Sequence, residues 1–178
     1  MRCLTASKTW RRWPVRVGSA LRVVLAMTNR DTIDMRCTAA LHSYFAVGNI
    51  AEIAVRGLDG CAYVDTVPQS PALCTQTGAV RFTAETDRVY EATAAACTFD
   101  DPVLNRRIHI RKQGNHSTVV WNPWVAKAKR MADFGDDEYP GMVCVETTNA
   151  REDAVSLPPG GEHVLATETE SESRLVQE

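Results

Sequence analysis

The chain has 178 residues and a mass of 19.6 kDa, with 44% hydrophobic and 24% charged residues, the balance of one globular domain able to bury its own core. Twenty basic and 22 acidic residues leave a formal net charge of -2, so no global field is expected to recruit nucleic acid or an anionic membrane. No apolar run approaches the ~20 residues that cross a bilayer. The six cysteines show neither a C-x-x-C pair nor Cys/His ligand spacing. With no secretory signal read at the start, they are expected as reduced thiols in a cytoplasmic protein, with no disulfide framework and no zinc site.

Residues 1–14 are basic and aromatic, including Trp10, Arg11, Arg12 and Trp13, and carry no readable period. An Arg-rich, acid-free start resembles a transit peptide in composition, but strand patterning already begins at Val15. From Val15 to Thr28, Leu21, Val23, Leu25 and Met27 alternate with Arg22, Val24, Ala26 and Thr28, a period-2 pattern that predicts a strand. Asn29-Arg30-Asp31 predicts a turn. The next strand is expected from Met35 to Val47, with His42 on the face of Ala40 and Tyr44, opposite Leu41 and Phe45. Gly48-Asn49 leads into a short strand over Ile50 to Arg56, and Gly57-Leu58-Asp59-Gly60 turns the chain again.

Residues 65–79 read as a loop. Short strands are expected at Ala79 to Phe82 and Arg88 to Ala92, then a turn at Asp100-Asp101-Pro102. Arg106 to Arg111 and Ser117 to Trp121 read as a hairpin around Lys112-Gln113-Gly114-Asn115, with its basic residues solvated. Asn122-Pro123 predicts the start of a short helix, Asn as N-cap and Pro at the first helical position. Strands at Met142 to Thr148, Ala154 to Leu157 and Glu162 to Ala166 close the pattern, and the acidic tail is expected to fray. The expected organisation is an irregular segment over 1–14, a β-domain over 15–167 and a tail over 168–178. Many short strands with Gly/Pro/Asn turns predict a mainly β, antiparallel sandwich or barrel.

Two residues stand out chemically. His42 is a single histidine on a strand, a position more often structural than catalytic. Glu146 interrupts the apolar run Met142 to Val145, and a glutamate is rarely buried without a partner, although the solvated face of an edge strand would also hold it. His109, His116 and His163 lie among charges or turns and read as surface groups. Asp87 can hydrogen-bond a polyhydroxylated ligand or pair with Arg88. Trp121 and Trp124 are expected to pack in the core or rim, with stacking on a sugar as the alternative.

Several segments carry a family resemblance. Ala-Leu-His-Ser-Tyr-Phe at 40–45, Gly-Leu-Asp-Gly at 57–60 and Glu-Thr-Asp-Arg-Val-Tyr at 85–90 resemble the hexose-6-phosphate mutarotases, the glucose-6-phosphate 1-epimerases of the aldose 1-epimerase group. Ser-Thr-Val-Val-Trp-Asn-Pro-Trp at 117–124, Met-Ala-Asp-Phe at 131–134 and Met-Val-Cys-Val-Glu at 142–146 do so as well. The resemblance implies a galactose-mutarotase-like β-supersandwich, present in part, and interconversion of the α and β anomers of an aldohexose 6-phosphate without metal or organic cofactor. It implies His42 as general acid, Glu146 as general base and Asp87 as a residue of the sugar site. A histidine of reference pKa ~6.5 and a glutamate of ~4.3 start in the opposite protonation states that ring opening requires.

The motifs cover most of this chain but only the C-terminal part of a family member. Nothing before Val15 matches the upstream half, which supplies arginines for the phosphate. The chain is therefore expected to be a shortened or divergent form, holding the acid and base but not that clamp. The expected partner is a small sugar phosphate. A complete fold would be monomeric, whereas missing strands would leave open sheet edges and favour self-association. The alternative functions are a non-catalytic carbohydrate-binding module and a structural fragment.

Overall fold

The computed structural model describes residues 9–69 and 71–174. Two large antiparallel sheets face each other. The first has eight strands, in the order Thr9–Arg12, Ala20–Asn29, Glu162–Ser173, Arg106–Gln113, Cys97–Asp101, Ala54–Arg56 and Val80–Arg81, with Val15–Val17 also paired to Ala20–Asn29. The second has seven, in the order Ala39–Leu41, Met142–Asn149, Ser117–Asn122, Thr86–Tyr90, Ala62–Asp65 and Ala72–Thr75, with Tyr44–Ala46 also on Met142–Asn149. Met35–Cys37 and Val155–Leu157 form a separate two-stranded ribbon. The expected mainly β fold is what the chain adopts, and the α-helix among the described residues is the five-residue Trp124–Ala128. No helix among them is long and apolar enough to cross a membrane.

Period-2 alternation explains where the core sits. Val55, Phe99, Ile108 and Ile110 of the first sheet meet Tyr90, Val120, Val143 and Val145 of the second in the main cluster. Leu25, Met27 and Leu165 of the first sheet meet Met35, Ala39, Leu41 and Leu157 in another. Cys97 and Cys144 are buried thiols; Cys37, Cys61 and Cys74 are half-buried, and none of these five is in a disulfide.

The structure corrects several expectations. Residues 9–12, read as irregular, form an edge strand on Ala20–Asn29, and Gly18-Ser19 splits the run from Val15 into two paired strands. Ile50 to Arg56 is a 3₁₀ turn, Ile50–Glu52, followed by the strand Ala54–Arg56; the Asn49 side chain caps the turn by accepting from the Ala51 N–H. A strand Ala72–Thr75 lies within the expected loop.

Residues 106–122 do not make a hairpin. Arg106–Gln113 belongs to the first sheet and Ser117–Asn122 to the second, so residues 114–116 arch between layers. Gly114 has φ +77°, and a Cβ there would lie 1.9 Å from the Val164 carbonyl oxygen, so the arch needs glycine. Lys112, expected in solvent, instead sends its ammonium group to the Thr118 hydroxyl and, at 3.7 Å, the Cys97 sulfur; burial lowers its pKa.

Of the acidic tail, residues 168–173 continue the strand Glu162–Ser173, and residues 175–178 lie outside the described residues. Its carboxylates find cations on neighbouring strands: Glu168 faces Arg22 and Arg111, Glu170 faces Arg111, and Glu172 meets His109 at 3.0 Å. Cross-strand charge pairing of this kind offsets the low β-propensity of glutamate. His163 is no simple surface group either, since its Nε2 lies 2.9 Å from Oδ1 of the buried Asn149 and burial lowers its pKa.

Asn122 ties the second sheet to the segment that covers it. Its Nδ2 donates to the carbonyls of Tyr139 and Met142, and its Oδ1 accepts from the Trp124 N–H. Pro123 occupies the N-cap position, so Asn122 caps from one residue earlier than expected. Asn122→Ala leaves buried backbone groups unpaired, and a loss of about 2–3 kcal/mol is expected. Thermal unfolding should show it as a drop of about 5–10 °C.

Candidate active site

The strand Met142–Asn149 is buried along its whole length because both of its faces are covered. Val143 and Val145 point into the main core. Cys144 and Glu146 point the other way, Cys144 into a small cluster with Trp121 and Met142. Glu146 is 5% exposed, so the edge-strand alternative is excluded by its place between two neighbouring strands.

Register brings the partner in. Leu41 pairs with Thr147, and Tyr44 with Cys144, so the same register sets His42 opposite Glu146. The expected continuous strand Met35 to Val47 is broken into Met35–Cys37, Ala39–Leu41 and Tyr44–Ala46. His42 and Ser43 fall in the second gap, where the Ser43 carbonyl still accepts from the Val145 N–H at 3.3 Å. His42 Nδ1 lies 3.0 Å from Glu146 Oε1, with the imidazole 60% exposed and the carboxylate side chain only 6%. The pair thus joins a buried carboxyl group to an open, accessible ring.

The electrostatics follow from that asymmetry. Burial raises the pKa of Glu146, the His42 contact pulls it down, and the Asp87 carboxylate pushes it up; the outcome is a raised value. A carboxylate shifted toward neutrality is a better proton acceptor at physiological pH than an ordinary one.

Asp87 is brought to the same face by pairing. It lies opposite Trp121, which lies opposite Cys144. Its expected partner Arg88 is on the other face, hydrogen-bonded to Gln76 and stacked over Tyr63. The cation beside Asp87 is Lys127, whose Nζ is 3.4 Å from both Asp87 Oδ2 and Glu85 Oε1 and 5.6 Å from the centre of the Trp121 ring. Sequence reasoning missed Lys127. Its signal was the Glu85-x-Asp87 spacing, which sets two carboxylates side by side and calls for a cation between them.

Trp121 forms part of the floor, edge-on to Tyr44 at 6.0 Å and Phe134 at 6.5 Å. Trp124 instead packs on the main core and on Tyr139, 5.3 Å away. It does so with φ 54°, a left-handed conformation unusual for so bulky a residue. A cavity of about 560 Å³ opens next to His42, between the edge strand Ala39–Leu41 and the strand Thr9–Arg12. Among the described residues no group of three His, Cys, Asp or Glu is placed to hold a metal ion.

The His42–Glu146 pair thus lies on one face of an antiparallel sandwich, beside a second carboxylate and an aromatic floor. The aldose 1-epimerase family model matches residues 13–170, and the chain belongs to that family. It is 39% identical over 135 residues to a protein of Cenchrus ciliaris named "Putative glucose-6-phosphate 1-epimerase", covering 76% of this chain and 41% of that protein. A mutarotase-like protein of Salmonella typhimurium superposes with a TM-score of 0.79 at 31% identity, over 93% of this chain and 54% of the other. A galactose mutarotase related enzyme of Lactobacillus acidophilus shares the fold, with a TM-score of 0.72 at 10% identity, over 96% of this chain and 63% of the other. The chain spans about two fifths of the length of the curated relatives it matches.

Proposed function

We propose that the chain interconverts the α and β anomers of an aldohexose 6-phosphate, with His42 as general acid, Glu146 as general base and Asp87 holding sugar hydroxyls. The contact that carries this reading is the 3.0 Å approach of His42 Nδ1 to Glu146 Oε1. Nδ1 engaged with Glu146 leaves Nε2 for the substrate. Ring opening takes the proton of the anomeric hydroxyl to Glu146 while His42 protonates the ring oxygen. The C1–ring-oxygen bond breaks and C1 becomes an aldehyde carbon. Rotation about C1–C2 presents the other carbonyl face, and closure returns both protons. Opening and closure each couple the change at the C1–oxygen bond to two proton transfers, which an acid and a base that exchange roles can supply.

Glucose 6-phosphate is the substrate proposed first, because the names of the relatives give it. A cytoplasmic location belongs to the same proposal. The test is optical rotation of freshly dissolved α-glucose 6-phosphate, which should relax faster with the chain than in buffer. Relaxation at the buffer rate at micromolar protein would contradict turnover by this chain.

Carbohydrate binding without turnover would instead give a change in tryptophan fluorescence on adding hexose phosphate while the rotation follows the buffer rate.

A further inference from the structure

The proposed function leaves Lys127 and Glu85 without a role, although both stand beside Asp87. The Asp87 backbone is well held: it pairs with Trp121, and the Thr66 hydroxyl and N–H both donate to its carbonyl. Its carboxylate is another matter. The side chain is 27% exposed, and an aspartate in that setting turns between rotamers unless a partner fixes one of its oxygens. Among the described residues that partner is Lys127, whose Nζ lies 3.4 Å from Oδ2.

A single lysine–aspartate pair this exposed would be screened by solvent and too weak to orient either side chain. Lys127 is held by more than Asp87, however. Glu85 Oε1 lies 3.4 Å from the same Nζ, and the Trp121 ring centre is 5.6 Å away, within the reach of cation–π attraction. Its helix, Trp124–Ala128, is anchored by the buried Ala128 and by Asn122, which accepts from the Trp124 N–H. A cation shared by two carboxylates and a ring on an anchored helix loses little further freedom when it fixes Asp87. The charges also require it. Asp87 already pushes up the pKa of Glu146, and without Lys127 the carboxylates of Glu85, Asp87 and Glu146 would crowd one face with His42 as their neighbouring cation.

We infer that Lys127 is a positioning residue of the sugar site: it holds Asp87 Oδ2, with Glu85 as its own anchor, so that Oδ1 is presented to the hydroxyls of the sugar ring. Lys127 then acts through Asp87 and not on the substrate. What it sets is the grip on the polyhydroxylated ring, so its effect is the same whether or not the sugar carries a phosphate. The inference rests on the reading of Asp87 as a sugar-binding residue, and not on turnover by this chain.

Titration of tryptophan fluorescence with glucose and with glucose 6-phosphate tests this without turnover. Lys127→Gln should weaken both sugars about tenfold to hundredfold, the loss of one hydrogen bond to a charged group. Lys127→Arg should restore most of the affinity, and circular dichroism identifies any loss that comes from unfolding. Adding Lys127→Gln to Asp87→Asn should cost little beyond Asp87→Asn alone, because the two residues act as one. Losses that multiply in the double variant overturn the inference, since Lys127 would then act independently of Asp87. A loss confined to glucose 6-phosphate overturns it as well, by placing the lysine on the phosphate, and so does equal affinity of the wild type and folded Lys127→Gln. In the anomerisation assay, Lys127→Gln should raise KM by the same factor with little change in kcat. A chain that shows these binding differences but leaves both sugars at the buffer rate contradicts the epimerase reading and supports the role of Lys127.

Discussion

Glu146→Gln is expected to lower the rate of anomer interconversion by about 10²–10⁴-fold, the usual contribution of one positioned acid–base group, while making the protein more heat-stable at neutral and alkaline pH. The two effects have one cause. Glutamine keeps the shape of the side chain and an oxygen that can accept from His42, but it cannot take a proton from the anomeric hydroxyl. It also removes a carboxylate that burial makes costly to ionise. The sign follows from linkage. A folded-state pKa raised above the unfolded value means that the folded state holds the Glu146 proton more tightly. The stability this contributes is fully present below the ordinary value of 4.5 and is lost as pH rises through the raised one. The wild-type melting temperature should therefore fall relative to that of Glu146→Gln across this window, and the gap should level off above it. Melting curves of both proteins from pH 4 to 8 check the point. A gap that stays constant over this range would remove the argument from burial. Such an exchange of stability for function is common where a site needs a buried ionisable group.

His42→Ala is expected to cost a similar factor, about 10²–10⁴ in kcat, with little effect on stability because the ring is mostly exposed. It should also leave a signature in the pH dependence of whatever activity remains. The His42 contact pulls the Glu146 pKa down against burial and the Asp87 charge. Without it, Glu146 ionises at higher pH, and the acidic limb of the rate profile should move to higher pH. A variant whose rate falls while that limb stays in place would show that His42 does not touch the base. Tyr44, also on this face, is no substitute acid near neutrality, since burial raises its pKa further above 10.0.

The faces that carry His42 and Glu146 were legible in the sequence because a strand is a simple ruler, whereas the roles proposed for them came from the family resemblance. Alternation alone sets His42 and Tyr44 on one side of their segment and Cys144 and Glu146 on one side of theirs. What alternation does not carry is pairing. Register, from Leu41 with Thr147 to Tyr44 with Cys144, is a tertiary fact, and it makes two separately ordinary residues into a pair. The same limit explains the failed hairpin. Two alternating strands around Gly114-Asn115 look identical whether the chain folds back in one sheet or arches into the other, and only the pairing of each strand with partners distant in sequence distinguishes them.

Local polarity misled at both ends of the chain. Thr9–Arg12 and the acidic residues Glu168, Glu170 and Glu172 are too polar to be recognised as strands, yet cross-strand partners make them so. Lys127 was missed because its meaning lies in Glu85 and Asp87, about forty residues away in sequence and 3.4 Å away in space. The cavity beside His42 was beyond sequence reading for the same reason, since its walls come from strands in different sheets.

The central claim is that His42 and Glu146 act as one unit on a sugar ring. Magnetisation exchange between the anomeric protons of equilibrated glucose 6-phosphate tests it most directly, with wild type, His42→Ala, Glu146→Gln and the double variant compared at one pH. A unit predicts exchange in the wild type, a loss of about 10²–10⁴-fold in each single variant, and a double variant hardly worse than the poorer single one. Exchange at the wild-type rate in the double variant would contradict the claim outright.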